Sequence, residues 1–267
     1  MAYPELSEIF IYPVKSASEI SLKNSFLDHR GLVHDRRWMV VDNSARFISQ
    51  RSSPKMALLK TEIIDSTLKL SAPDMAKLEL PLLQTEGIPQ MVEIWGDHCK
   101  ALAAGNHSES WISHYLGEKC NFVFMPDHTN RQVDKDYAIG RNQVSFSDGF
   151  PLLLISESSL FDLNRRASEK ITLKRFRPNL VLKNIDPYQE DKWKAIRIGE
   201  CELKIVKPCT RCVLTTVDPE TGKFSGKEPL ETLAKYRKFN GEVVFGQNLI
   251  PLSSGKLEVG MKMEILK

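Results

Sequence analysis

The run Cys209-Thr-Arg-Cys212 sets two thiols three residues apart, with Arg211 between them and Lys207 just upstream. Neighbouring cations favour the thiolate, which is both a nucleophile and a soft metal ligand. A structural zinc site needs two further ligands at metal-binding spacing, and the sequence offers neither a second C-x-x-C nor a nearby H-x-x-x-H. A thioredoxin-like redox pair opens a helix, whereas Val213-Leu-Thr-Thr-Val217 is β-branched and reads as a strand. Spacing thus disfavours zinc and redox chemistry without fixing the role. Ligation of a soft metal and plain reduced core cysteines both remain open.

The elements that must hold these residues read as short strands broken by turns. Ile9–Val14, Arg37–Val41, Met56–Ile64 and Thr67–Leu70 have strand patterns, and the Asx and Pro turns at 42–44 and 72–74 end two of them. Trp95-Gly-Asp-His98 reads as a tight hairpin. Trp111, Ile112, Tyr115 and Leu116 recur at helical spacing over Ser108–Leu116, with Gly117 as a C-cap. Asp127–Gln143 is polar and charged, the pattern of a long mobile loop, a lid or a solvated connection. A strand over Leu152–Ile155 then meets a helix that Ser156 caps and that runs to about Ala167. Strands follow near Leu180, at Glu202–Val206 and at Cys212–Val217, then a helix near Pro229–Lys238 and two closing strands. Many short strands with few helices predict a mainly-β or α+β chain, a partly closed antiparallel β-barrel with flanking helices, divided near residue 120.

With 267 residues the chain can bury a sizeable core, and 42% apolar with 27% charged residues is the balance of a folded globular protein. A net charge of +3, evenly spread, argues against a nucleic-acid surface and is compatible with an anionic small ligand. The N-terminal stretch has no basic lead and no continuous apolar region, so no secretory signal is expected. The apolar run Pro151–Ile155 falls far short of the ~20 residues of a membrane-crossing helix. Five cysteines without a signal peptide favour free thiols in a reducing cytoplasm.

The whole run Lys207-Pro-Cys-Thr-Arg-Cys-Val-Leu-Thr-Thr-Val-Asp-Pro-Glu-Thr-Gly222 resembles the cysteine signature of the MOSC family, named after the C-terminal domain of molybdenum cofactor sulfurase. Six further blocks follow the family's order: Ile11-Tyr-Pro-Val-Lys-Ser16, Asp35-Arg-Arg-Trp38, Phe146-Ser-Asp-Gly-Phe-Pro151, Phe176-Arg-Pro-Asn179, Lys227-Glu-Pro-Leu-Glu-Thr232 and Phe245-Gly-Gln-Asn248. The last of these reads equally as a barrel turn that requires Gly246. The resemblance spans nearly the whole chain and is nearest to the amidoxime-reducing components and their bacterial relatives. It implies a MOSC N-terminal β-rich domain over residues 1–120 and a MOSC domain over residues 121–267.

Carried over residue by residue, the resemblance implies a molybdenum cofactor in its molybdopterin form, with Cys212 as the metal ligand and Thr210 and Arg211 lining the site. Cys209 becomes a neighbour with a supporting role. Lys15, Ser16 and Arg36 match the family's phosphate-binding groups, with Arg177 and Asn179 adding contacts; Arg forks and a Lys point charge suit phosphate oxygens. Asp148 matches an aspartate close to the cofactor, where it bonds the pterin or handles protons. The following residues, Gly149 and Phe150, depart from the hydroxyl-bearing mitochondrial pattern toward the bacterial form.

The implied reaction is two-electron reduction of N-hydroxylated compounds, such as hydroxylamines, amidoximes or hydroxylated base analogues, by oxygen-atom transfer. No iron–sulfur ligand set follows the barrel, so electrons are expected from a separate flavoprotein or ferredoxin-like donor. The partners expected are therefore that donor and a small-molecule substrate, with neither nucleic acid nor membrane. An alternative from the kinship with cofactor sulfurases is a carrier that uses a Cys212 persulfide or passes on the pterin. The family also brings a label of pyridoxal phosphate binding.

Overall fold

The computed structural model describes residues 3–138, 140 and 142–267; the first two residues of the N-terminal stretch, and Ile139 and Arg141 of the 127–143 segment, lie outside it. Among the described residues the architecture is mainly β with three α-helices, as the strand patterns predict. A large sheet runs in the order Ile20–Leu22, Glu5–Ile11, Leu180–Lys183, Leu152–Ser156, Glu242–Pro251, Cys201–Thr210, Ala195–Ile198, Met263–Ile265, with Lys238–Phe239 paired to the side of Glu242–Pro251. Its end curls back on its beginning: Met263 N donates to Pro4 O at 2.8 Å, and Leu6 N donates to Met261 O at 2.9 Å. The barrel is thereby partly closed, which removes part of the exposed edge.

Leu152–Ser156 is buried at every position, which explains its unbroken apolar sequence. Its side chains divide with a period of two. Leu152 and Leu154 join the barrel interior with Leu6, Ile9, Leu180 and Leu203, whereas Leu153 and Ile155 pack outward with Leu163, Phe176, Leu233 and Phe245. The strand is parallel to Leu180–Lys183, a connection that requires a crossover, and the helix Glu157–Arg166 provides it. Ser156 caps that helix by accepting from Ser159 N at 3.1 Å.

A second sheet, Trp38–Asp42, Cys120–Phe124, Asp97–Ala103 and Ile88–Ile94, is antiparallel. The helix Asn106–Leu116 buries Trp111, Ile112, Tyr115 and Leu116 and ends at Gly117 in the left-handed region. Ile94 pairs with Asp97, so the hairpin turn is Trp95-Gly96, both at positive φ as in a type I′ turn. The two sheets are tied by the N-terminal segment: Glu5–Ile11 sits inside the large sheet, and just beyond it Lys15 N donates to Trp38 O at 2.8 Å, at the start of the second sheet.

Four expectations are corrected. Met56–Ile64 is not one strand: a 3-10 turn at Pro54–Leu58, with Pro at its start and Met56 and Ala57 buried, precedes the strand Lys60–Ile64. Cys212–Val217 is not a strand either. Thr215 Oγ1 donates to Cys212 O at 3.0 Å and Thr216 Oγ1 to Val213 O at 2.8 Å, and these local bonds hold Val213–Thr216 in a 3-10 turn. Four strands rather than two follow the last helix. Finally, the 127–143 segment is not simply solvated, because Thr129, Arg131, Val133 and Asn142 are buried.

Candidate functional site

The strand Cys201–Thr210 ends beside Glu242–Pro251 with two irregularities of register, one between Ile205 and Lys207 and one between Pro208 and Thr210. Such bulges bend a strand and re-aim its side chains. Pro208 fits this place because it brings no N–H to the ladder. The chain then turns at Cys212, whose side chain is exposed, into the 3-10 turn. Facing it are Lys15 and Ser16 from the loop after Glu5–Ile11, Arg36 from the loop before Trp38, Asp148 from the loop before Leu152, and Arg177 and Asn179 from the loop before Leu180. These six line a single cleft of about 150 Å³ together with Thr210, Arg211 and Cys212. Every residue singled out from the sequence as a candidate site residue thus lies on this one cleft.

The groups differ in what they do there. Lys15, 4% exposed, donates to Phe146 O at 2.7 Å and is ion-paired with Asp148. Burial pulls its ammonium down to about 8, despite Asp148 opposing the shift. Desolvation raises the Asp148 carboxyl, but the charge and hydrogen bond of Lys15, the Trp95 side chain and Arg51 more than offset this and hold it below the usual carboxylate range. Asp148 is therefore an ionised acceptor at neutral pH and a poor proton donor. Arg36 is paired with buried Asp35 and donates to Asn179 Oδ1 at 3.1 Å. Asn179 is a brace: its Oδ1 also accepts from Leu153 N at 3.2 Å, and its Nδ2 donates to Phe10 O at 3.1 Å. Arg36 and Arg177 both stack on the buried ring of Tyr12, at 4.4 and 4.2 Å from its centroid. Burial pushes the Cys209 thiol up, with Arg211 opposing, which suits a supporting residue better than a nucleophile.

The cations expected to favour the Cys212 thiolate are elsewhere. Arg211 donates to Phe245 O at 2.9 and 2.6 Å and to Phe176 O at 3.0 Å, and Lys207 lies over Tyr137 and Phe150. Arg51 is the guanidinium at the sulfur, with Nη1 3.5 Å from Sγ. It was missed because it is a lone arginine in a loop 161 residues away in sequence. Trp95, Arg131 and Arg175 were missed because none lies inside a motif block. Arg131 is buried within the 127–143 segment and donates to the carbonyls of Ser145, Ser147 and Asp148 at 2.9, 2.5 and 3.0 Å, fixing the loop that carries Asp148. Nothing in a polar stretch marks one arginine as buried.

Residues 3–119 match the MOSC N-terminal beta barrel domain and residues 141–264 match the MOSC domain. Mitochondrial amidoxime-reducing component 1 of Mus musculus is 34% identical, over 98% of this chain and 82% of the relative. The human protein of that name is 32% identical over the same shares, and mitochondrial amidoxime reducing component 2 of Rattus norvegicus is 33% identical over 96% and 81%. The chain belongs to the MOSC family.

The cofactor that the resemblance to MOSC proteins implies combines a phosphate, a pterin dithiolene and a soft metal. The cleft of this MOSC chain suits each part. Lys15, Arg36, Arg51, Arg175, Arg177 and Arg211 line it; Asp148, Asp35 and Glu169 pair with Lys15, Arg36 and Arg175, and the charges of Arg51, Arg177 and Arg211 are left to favour an anion. Arg177 Nη2 is buried with no hydrogen-bond partner, the condition of a donor awaiting an acceptor. At the other side Cys212 offers an exposed thiol, the donor type that soft metals prefer.

Proposed function

We propose that this MOSC protein is a molybdenum-cofactor-dependent oxidoreductase that reduces small N-hydroxylated compounds. The observation that carries the reading is the meeting of an exposed thiol, Cys212, with a strongly cationic wall in one small cleft. The amidoxime-reducing names of the relatives support it. In this reading Lys15, Ser16, Arg36 and Arg177 hold the cofactor's phosphate, Asn179 keeps Arg36 in place, and Thr210 and Arg211 border the pterin. Cys212 would be the protein's ligand to molybdenum, which would supply the two-electron chemistry. Asp148 fixes the Lys15 ammonium rather than donating a proton, so the protons come from water entering the cleft. The electrons come from a separate flavoprotein or ferredoxin-like carrier. Five free cysteines support a reducing compartment such as the cytoplasm.

The test is elemental analysis and turnover of protein made in a host that synthesises the pterin, with Cys212→Ser prepared alongside. Near-stoichiometric molybdenum and amidoxime reduction in the parent, both lost in the variant, are expected. Full metal and activity in Cys212→Ser would sink the assignment. Extra sulfur on Cys212 by mass spectrometry, with no metal in either protein, would point to the carrier role instead.

A further inference from the structure

The cations of the cleft are nearly all committed. Lys15 serves Phe146 O and Asp148, Arg36 serves Asp35 and Asn179, Arg175 serves Glu228 O and Ser225, and Arg211 serves two carbonyls. Arg177 Nη1 donates to Ala17 O, and its other terminal nitrogen is buried. Arg51 is different. Among the described residues its side chain has one hydrogen-bond partner, the Cys212 sulfur at 3.5 Å, and no carboxylate pairs with it. A guanidinium has five N–H donors, so most of this fork is available beside the thiol.

What holds Arg51 there is aromatic. Its guanidinium carbon is 4.2 Å from the Trp95 ring centroid and 5.9 Å from that of Phe47, and the two rings are 5.2 Å apart. The Trp95 side chain also helps hold the Asp148 carboxyl low, which sets the indole beside that carboxylate. It is nevertheless 54% exposed, while Trp38, Trp111 and Trp193 are at most 7% exposed. It also sits at φ +54 in the hairpin turn, an uncommon conformation for a bulky side chain. An exposed indole kept in an unfavourable backbone conformation, stacked on a cation with spare donors at the candidate metal ligand, has the form of a recognition wall.

We propose that Arg51 and Trp95 bind the substrate, Arg51 by donating to the oxygen of its N–O group and Trp95 by packing against a planar substituent. The inference rests on the reductase reading. In that reaction the N–O bond breaks, two electrons come from the reduced carrier and two protons from water, and the products are the N–H compound and water; the molybdenum would supply the two-electron chemistry when bound. As the bond lengthens the oxygen gathers negative charge, and a fixed guanidinium at that point stabilises it.

The experiment compares holoenzyme of the parent, Arg51→Gln, Arg51→Lys, Trp95→Ala and Trp95→Phe, with benzamidoxime and acetamidoxime as probes and a chemical reductant. Molybdenum content is measured for each. Arg51→Gln should keep its metal and lose about 100-fold in kcat, the loss on removing one such donor, with Arg51→Lys recovering part of it. Trp95→Ala should raise KM for benzamidoxime well above any change for acetamidoxime, and Trp95→Phe should restore it. Without reductant, benzamidoxime should quench parent fluorescence saturably, and not that of Trp95→Phe. Loss of molybdenum in Arg51→Gln would assign Arg51 to the cofactor and overturn the proposal. So would full kcat in a metal-replete Arg51→Gln, equal effects on both probes, or no quenching. A metal-replete parent that reduces neither probe would instead overturn the reductase reading itself, whatever the quenching shows.

Discussion

Lys15 is the residue on which the charge of the cleft turns. Its ammonium is buried, and desolvation lowers it from its ordinary value of 10.5 to about 8, with Asp148 opposing and Arg131 and Arg36 assisting. The sign of the consequence follows from the direction. Between about pH 8 and 10.5 the unfolded chain holds a proton on this amine that the folded chain has released, so this group's contribution to stability rises with pH there. Anion binding moves the other way, because the cleft loses a positive charge across the same midpoint. A titration of Lys15 Nζ by heteronuclear NMR should give a midpoint near 8 in the parent. Asp148→Asn removes the opposing carboxylate, so its midpoint should lie lower; an unchanged midpoint would mean that the ion pair does not tune the amine. Arg131 belongs to the same cluster, and Arg131→Ala leaves three carbonyls around a buried gap. A loss of about 3 kcal/mol in urea unfolding is expected, since buried acceptors lose charged donors.

At the scale of elements, the cleft depends on how two neighbouring strands approach. Gly246, at φ +76 in Glu242–Pro251, faces Leu152–Ser156 so closely that a Cβ would stand 2.6 Å from Leu154 O. Gly246→Ala combines backbone strain with overpacking and should cost about 2–4 kcal/mol, read from the urea midpoint. A cost under about 0.5 kcal/mol would show that the strands can separate to admit it. The sequence announces Gly246 only as a possible barrel turn; its true constraint, a carbonyl on another strand, is tertiary. The same limit explains the other errors. Local pattern identifies Leu152–Ser156, its Ser156 cap and the Trp95-Gly96 hairpin, because apolar runs, caps and turns act over a few residues. It misreads Val213–Thr216, where β-branched residues suggest a strand but threonine hydroxyls bond back to the chain. The nine candidate site residues were legible because motif blocks mark them, whereas Arg51, Trp95 and Arg131 stand alone and acquire meaning only when distant segments meet.

The whole molecule is a device for that meeting. Lys15, Ser16, Arg36 and Arg51 come from the first 120 residues, while Asp148, Arg177 and the cysteine run come from the remainder, so the cleft exists only when both are folded together. The chain secures this by exchange: Glu5–Ile11 is hydrogen-bonded on one side to Leu180–Lys183, and Gly255–Glu258 pairs with Asn24–Asp28. Leu6, Ile9, Ile11 and Leu27 share one core with Leu154, Ile196 and Leu249. Removing the first 32 residues would therefore strip the barrel interior as well as its edge, and neither part has a complete core without the other. Unfolding should then be one cooperative transition. Three of the four tryptophans, Trp38, Trp95 and Trp111, report on the first part, whereas backbone circular dichroism reports on the whole. Their urea curves should superimpose with a single midpoint. An earlier fluorescence transition, with much of the dichroism retained, would show the first part melting alone and the cleft depending on docking of two separately stable units.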